Sequence, residues 1–254
     1  MLEYEIVDNG KESWVVFIHG LGGSTKTWKK QIDAFSEQYN LLLLDLPGHG
    51  LNADNVIYKV ESLKLYDSIK ATLDYLNIKN AHFVGLSLGT IVIANFAIYY
   101  PQYIKTIILG GSSLIFHGIA KNAILVANAI KRHVPYKFLY QFFSWFIMPR
   151  KHHKKSRTIF LREVVKLNKE TMFAWIEYIH SNLHLEQILD KLDTIEKRIL
   201  LISGAEDYCF LSGAKTLAKK MRSMDIKIIE KCGHICSIEK WSVFNHMALE
   251  YLES

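Results

Sequence analysis

Short apolar runs rich in Val, Ile and Leu punctuate the chain at Val15–Ile18, Leu41–Leu44, Ala81–Val84, Thr106–Leu109, Ile199–Ile202 and Ile226–Ile229. They are continuous rather than alternating, the pattern of strands covered on both faces by helices. Between most of them apolar positions recur at helical spacing, over Trp28 to Tyr39, Val60 to Leu76, Leu88 to Tyr100 and Gly213 to Met221. Strands alternating with helices predict an α/β fold built on a mostly parallel, doubly wound sheet. Asn9-Gly10 falls between two apolar runs. That dipeptide predicts a hairpin and an antiparallel first pair.

The alternation stops after Gly110-Gly111-Ser112 and resumes near Lys197. The stretch between holds no buried-strand run, is rich in aromatic and basic residues, and repeats at helical spacing. It predicts a helical cap spanning 113–192, inserted into a core made of 1–112 and 193–254.

Composition narrows the class. The chain has 254 residues, half of them hydrophobic, with 31 basic against 25 acidic side chains and a formal charge of +6. Disorder is excluded, and a charge this modest makes no case for nucleic acid. Three cysteines, all in the last fifth of the chain, read as reduced thiols of a cytoplasmic protein. Neither the acidic start (Glu3, Glu5, Asp8) nor the short run Trp14–Ile18 suits a secretory signal. Phe138–Met148 falls well short of the roughly 20 apolar residues that cross a bilayer.

The candidate chemistry starts at Gly85-Leu86-Ser87-Leu88-Gly89, directly after one predicted strand and before a predicted helix that Pro101 ends. A serine in so tight a turn is held in strained backbone, lifted clear of the sheet at a helix N-terminus that favours developing negative charge. Its hydroxyl needs a base, and the base needs an orienting acid. Both follow later strands: Asp207 ends Ser203-Gly204-Ala205-Glu206-Asp207, and His234 ends Cys232-Gly233-His234. Glu206 is the nearest rival acid, while Gly110-Gly111-Ser112-Ser113, after the preceding strand, offers no carboxylate. Ser87, Asp207 and His234 are therefore the expected catalytic residues, in the order Ser, Asp, His. An oxyanion takes two backbone donors, expected from Leu88 and, in His19-Gly20-Leu21-Gly22-Gly23-Ser24, from Leu21.

Together His19–Gly23, Asp45-Leu46-Pro47-Gly48-His49-Gly50, the Ser87 turn and Cys232-Gly233-His234 resemble the α/β-hydrolase fold superfamily, within it the small bacterial carboxylesterase, lactonase and haloperoxidase-like branch. The resemblance spans Leu2 to Ser112 and Lys197 to Leu252, but not the insert. It implies that His49 is structural rather than a second base. Ser87 stands where haloalkane dehalogenases carry Asp. The Arg that follows the elbow in the similar menaquinone-pathway synthase is missing from Gly89-Thr90-Ile91-Val92.

The insert speaks to substrate. Phe142, Trp145 and Phe146 lie in its most apolar stretch and, with Trp28 and Trp175, are candidate pocket walls. Arg150-Lys151-His152-His153-Lys154-Lys155 follows, either a solvated face or a weak contact for anionic lipid headgroups. His180 and His184 have the spacing of a metal pair, yet no third ligand accompanies them, and a metal between Cys232 and Cys236 would consume His234. No metal and no cofactor are expected. The expected activity is serine hydrolysis of small to medium hydrophobic carboxylic esters or lactones. The alternatives on the same scaffold are a slow-turnover small-molecule receptor, an acyltransferase, or a lyase similar to the menaquinone-pathway synthase.

Overall fold

The computed structural model of the chain describes residues 1–183 and 186–254, so His184 of the His180/His184 pair lies outside the described residues. Seven strands, β1 (Glu3–Val7), β2 (Trp14–Ile18), β3 (Asn40–Asp45), β4 (Ala81–Leu86), β5 (Ile104–Gly110), β6 (Arg198–Gly204) and β7 (Met224–Ile229), form one sheet in the order β1-β3-β2-β4-β5-β6-β7. Every neighbouring pair is parallel except β1 with β3. All six apolar runs lie inside strands.

Helices cover the sheet: α1 (Lys29–Ser36), α2 (Ser62–Tyr75) and α3 (Leu88–Tyr99) precede β5, and α4 (Gly118–Ile130), α5 (Tyr136–Ile147), α6 (Lys154–Val164), α7 (Lys169–Ser181) and α8 (Glu186–Thr194) separate β5 from β6. The short α10 (Cys236–Glu239) and α11 (Trp241–Glu253) follow β7, and α9 (Leu211–Lys220) joins β6 to β7. Every residue of β3 and β4 is buried, as is each residue of α3 from Leu88 to Ala97. That helix packs on β2, β4 and β5 and is flanked by α2 and α8, so apolar residues run all round it, with Asn95 donating to Asn182 Oδ1. Since α8 packs on α3, the helices after β5 rejoin the core before position 192. Among the described residues, no helix is long and apolar enough to cross a membrane.

The first pair differs from expectation. Asn9-Gly10 closes no hairpin, because β3 stands between β1 and β2 and the connection must cross two strand spacings of about 4.8 Å each. It passes over the start of β3, where Asn40 holds it. The Asn40 Oδ1 accepts the N–H groups of Asn9 (2.9 Å) and Lys11 (3.0 Å), and its Nδ2 donates to the Lys11 carbonyl (2.8 Å). Asn40→Ala removes all three bonds. It is expected to cost about 2 kcal/mol, lowering Tm by roughly 4–8 °C in a chain of this size. A thermal melt showing no change would refute this account of the crossing.

Strand order reverses at β2, with β3 on one side and β4 on the other. The loops after β2 and β4 therefore flank a crevice at the carboxyl ends of the strands, where open α/β sheets bind ligands.

Candidate active site

Ser87 joins β4 to α3 with φ 52° and ψ −116°, a conformation few L-residues adopt and one that costs of order 1–3 kcal/mol. Its surroundings hold it there. The Ser87 N–H donates to the Gly110 carbonyl (3.0 Å), and the Ser87 carbonyl accepts from the Thr90 N–H (2.8 Å) and hydroxyl (2.6 Å). A Cβ on Gly89 would lie 2.2 Å from the Ile18 carbonyl oxygen. Only glycine lets the first turn of α3 rest against the end of β2.

His234 lies between β7 and α10. Its Nε2 is 2.8 Å from Ser87 Oγ, and its Nδ1 is 2.7 Å from Asp207 Oδ2 in the loop after β6. A carboxylate only accepts, so the proton sits on Nδ1 and the Nε2 lone pair faces the serine hydroxyl. Asp207 and His234 are both fully buried, with the Phe210 ring 4.6 Å above the imidazole. Phe210 also donates its N–H to Asp207 Oδ1 (3.3 Å), which fixes the carboxylate from its other side. Glu206 points away, onto His152 and His153. The three residues expected from sequence thus meet as hydrogen-bonded neighbours at one sheet edge.

The loop after β2 is pinned on both sides of Leu21. The Gly20 carbonyl accepts the Gly23 N–H (2.9 Å) and His19 Nδ1–H (2.8 Å), while the Gly22 N–H donates to His49 Nε2 (3.0 Å). The Leu21 carbonyl accepts the Tyr140 hydroxyl from α5. Neither the Leu21 nor the Leu88 amide donates to another group among the described residues, and both residues line the cavity that contains Ser87. Burial drives the His49 pKa down to about 3. Neutral in the working range, it accepts a backbone proton and is spent on structure.

Two cavities meet at Leu21 and Ser87. One is apolar, walled by Ile124, Leu139, Tyr140, Phe143, Met172 and Ile176 among others. The second runs past Ile159, Phe160, Ile235 and Ile238, with Lys26, Lys29 and Lys30 at its rim.

None of the five aromatic wall candidates lines the first cavity. Trp28 is fully buried against Phe17, with rings 4.9 Å apart. Trp175 is also buried, donating Nε1–H to the Pro47 carbonyl (3.0 Å) and meeting His49 edge-on. Phe142 and Trp145 face solvent, Trp145 beneath the Arg157 guanidinium, and Phe146 stacks on Phe142. The right helix was singled out on its wrong face. Large apolar residues flank the polar Lys137, Gln141 and Ser144 of α5 on both sides, so periodicity does not tell which side meets Ser87; the face that does carries Leu139, Tyr140 and Phe143.

Part of the basic run is consumed inside the fold. Arg150 donates to Tyr208 Oη (2.8 Å), and His152 and His153 meet Glu206, leaving Lys151, Lys154 and Lys155 exposed. The three cysteines are unpaired and buried. Burial raises the thiol pKa of Cys209 and Cys236 to about 12 and that of Cys232 further still. Thiols so shifted stay protonated, and Cys232 and Cys236, which flank His234 in sequence, are no exception.

Comparison with known proteins agrees with this architecture. A family model described as alpha/beta hydrolase fold matches residues 13–129. The 2-hydroxy-6-oxononadienedioate/2-hydroxy-6-oxononatrienedioate hydrolase of Burkholderia vietnamiensis (strain G4 / LMG 22486) is 25% identical over 276 residues, covering 99% of this chain and 90% of that protein. The esterase EaEST from Exiguobacterium antarcticum superposes with a TM-score of 0.83 at 17% identity, over 100% of this chain and 96% of its own. The enol-lactonase from Burkholderia xenovorans LB400 does so with a TM-score of 0.81 at 20% identity, over 100% and 96%. All three names denote a hydrolytic activity, and the two solved structures share this chain's fold. Its strand order, its serine elbow and the family match over residues 13–129 agree on one conclusion: the chain has the α/β-hydrolase fold.

Proposed function

We propose that the protein is a serine hydrolase of carboxylic esters or lactones with an apolar acyl part. The observation that carries this reading is the chain of contacts from Ser87 Oγ through His234 to Asp207, at 2.8 and 2.7 Å, opening onto an apolar cavity. His234 Nε2 takes the Ser87 proton as Oγ attacks the carbonyl carbon, and Asp207 stabilises the imidazolium. The Leu21 and Leu88 amides receive the oxyanion. Collapse breaks the bond to the leaving oxygen, which takes the proton from His234. Water, deprotonated by the same imidazole, then attacks the acyl-enzyme and frees the carboxylic acid and Ser87. Each proton borrowed is returned, so the cycle needs no cofactor.

The helices between β5 and β6 serve as a cap over this centre. Tyr140 on α5 reaches the Leu21 carbonyl, and Met172 and Ile176 on α7 wall the apolar cavity. An acyl chain entering there meets aliphatic and aromatic carbon, and the leaving group lies toward the open, lysine-rimmed side.

A series of p-nitrophenyl esters from acetate to decanoate tests this reading. Medium chains are expected to give the highest kcat/KM. Met172→Trp, which fills the cavity, is expected to lower kcat/KM for octanoate about 10-fold or more while leaving acetate nearly unchanged. Equal losses on both esters would place the acyl chain elsewhere.

A further inference from the structure

Away from Ser87, four titratable side chains converge where the segment before α6 meets the loops after β6 and β7. His152 Nε2 and His153 Nε2 lie 2.8 and 2.9 Å from the same atom, Glu206 Oε2, and His153 Nε2 lies 3.2 Å from Glu239 Oε1. Single donor atoms of His152, His153 and Glu239 all fall within 4.8 Å of one another. His153 is fully buried and the Glu239 side chain is only 6% exposed.

His152 Nε2 and Glu206 Oε2 are hydrogen-bonded, but the buried contact beside them is unsatisfied. Neither His153 Nε2 nor Glu239 Oε1 makes a hydrogen bond of acceptable direction. Buried polar atoms without partners are uncommon, and two that face each other call for a third party between them. Imidazole binds metals through a nitrogen lone pair, and the two imidazoles and the Glu239 carboxylate present their donor atoms to one another here.

We propose that His152, His153, Glu206 and Glu239 form a binding site for a divalent transition metal, with zinc the best match. Two imidazole nitrogens and two carboxylate oxygens suit tetrahedral zinc, whereas magnesium and calcium prefer oxygen alone. Two contacts must yield. His153 Nδ1 accepts the Arg150 N–H at 3.2 Å, and a metal on Nε2 moves the ring proton to Nδ1 and ends that bond. The hydrogen bond between His152 Nε2 and Glu206 Oε2 gives way as well, since both atoms turn to the ion, while the charge of two carboxylates is neutralised. His152 is half exposed, which gives the ion a way in from solvent.

The site ties three segments together. Glu206 directly precedes Asp207, and Glu239 Oε2 accepts the N–H of Gly233 (3.2 Å), the residue before His234. A bound ion would join the helical segment to both loops, whatever reaction occurs at Ser87.

The test uses the full chain, stripped with a chelator and then dialysed against Zn2+, Co2+ or Mg2+. Expected results are about one zinc per chain, a Tm raised by Zn2+ but not by Mg2+, and the visible absorption of tetrahedral Co2+. His152→Gln, half exposed and therefore folded, should weaken zinc binding by at least the roughly 100-fold seen when outer-shell partners are lost. His153→Gln and Glu239→Gln should abolish the cobalt bands, and His180→Gln should change nothing. Uptake near zero by the unmodified chain, or equal uptake by the His152 and His153 variants, would overturn the proposal.

Discussion

Ser87→Ala is expected to lower kcat on a p-nitrophenyl ester by about 10⁴-fold or more, with an unchanged or slightly raised Tm. The size follows from the geometry. Among the described residues Oγ is the hydroxyl bonded to His234 Nε2, at 2.8 Å, and its removal leaves only binding and the two amides to act on the carbonyl. The unchanged fold follows from the backbone. The bonds that hold position 87 in its positive-φ turn run through its N–H and carbonyl, which alanine retains. Steady-state kinetics beside a thermal melt separate the two effects. A variant keeping a tenth of its activity would show that the attacking group lies elsewhere.

Asp207→Asn is expected to lower kcat about 10³–10⁴-fold, while Glu206→Gln stays within a few-fold of wild type. The introduced side-chain amide would present N–H to His234 Nδ1, forcing that nitrogen to accept and placing the ring proton on Nε2. There it faces the serine as a donor and can no longer take the Oγ proton. Glu206 is one residue away, but its carboxylate contacts His152 and His153 and never approaches the His234 ring. Equal losses in the two variants would mean that the loop, rather than one carboxylate, matters. The comparison also separates this centre from the proposed metal site, since Glu206→Gln should weaken zinc while sparing hydrolysis.

Much of this arrangement was legible because its causes are local. Continuous Val, Ile and Leu runs suit strands covered on both faces, and all six lie in strands, although Ile226 to Ile228 of the edge strand β7 are only half-buried. The glycines around Ser87 mark a turn with no room for side chains, and the 2.2 Å approach at Gly89 is that crowding in numbers. Two features were hidden for physical reasons. Asn9-Gly10 has the chemistry of a hairpin, but the partner of β1 is set by β3 and by the side chain of Asn40, thirty positions on. In α5 the polar Lys137, Gln141 and Ser144 are outnumbered by nine apolar or aromatic residues, so Phe142 and Trp145 look as fit to line a pocket as Leu139 and Phe143. Long-range packing decided that face. The meeting of His152 and His153 with Glu206 and Glu239 was equally invisible, because a basic run reads as a solvated surface until carboxylates from distant loops are brought beside it.

The helices inserted between β5 and β6 bear on how the protein is made. The serine belongs to the stretch of polypeptide that leaves the ribosome early, whereas its imidazole and carboxylate emerge after the whole insert, when β6 can zip onto β5 through Thr106 and Arg198. Until that late pairing a nascent chain carries an unarmed hydroxyl. Each doubling of the intervening length adds only about 0.6 kcal/mol to ring closure. The length of this stretch therefore weighs little on the pairing of β6 with β5, and what ties its helices to the sheet is packing, through α8 on α3.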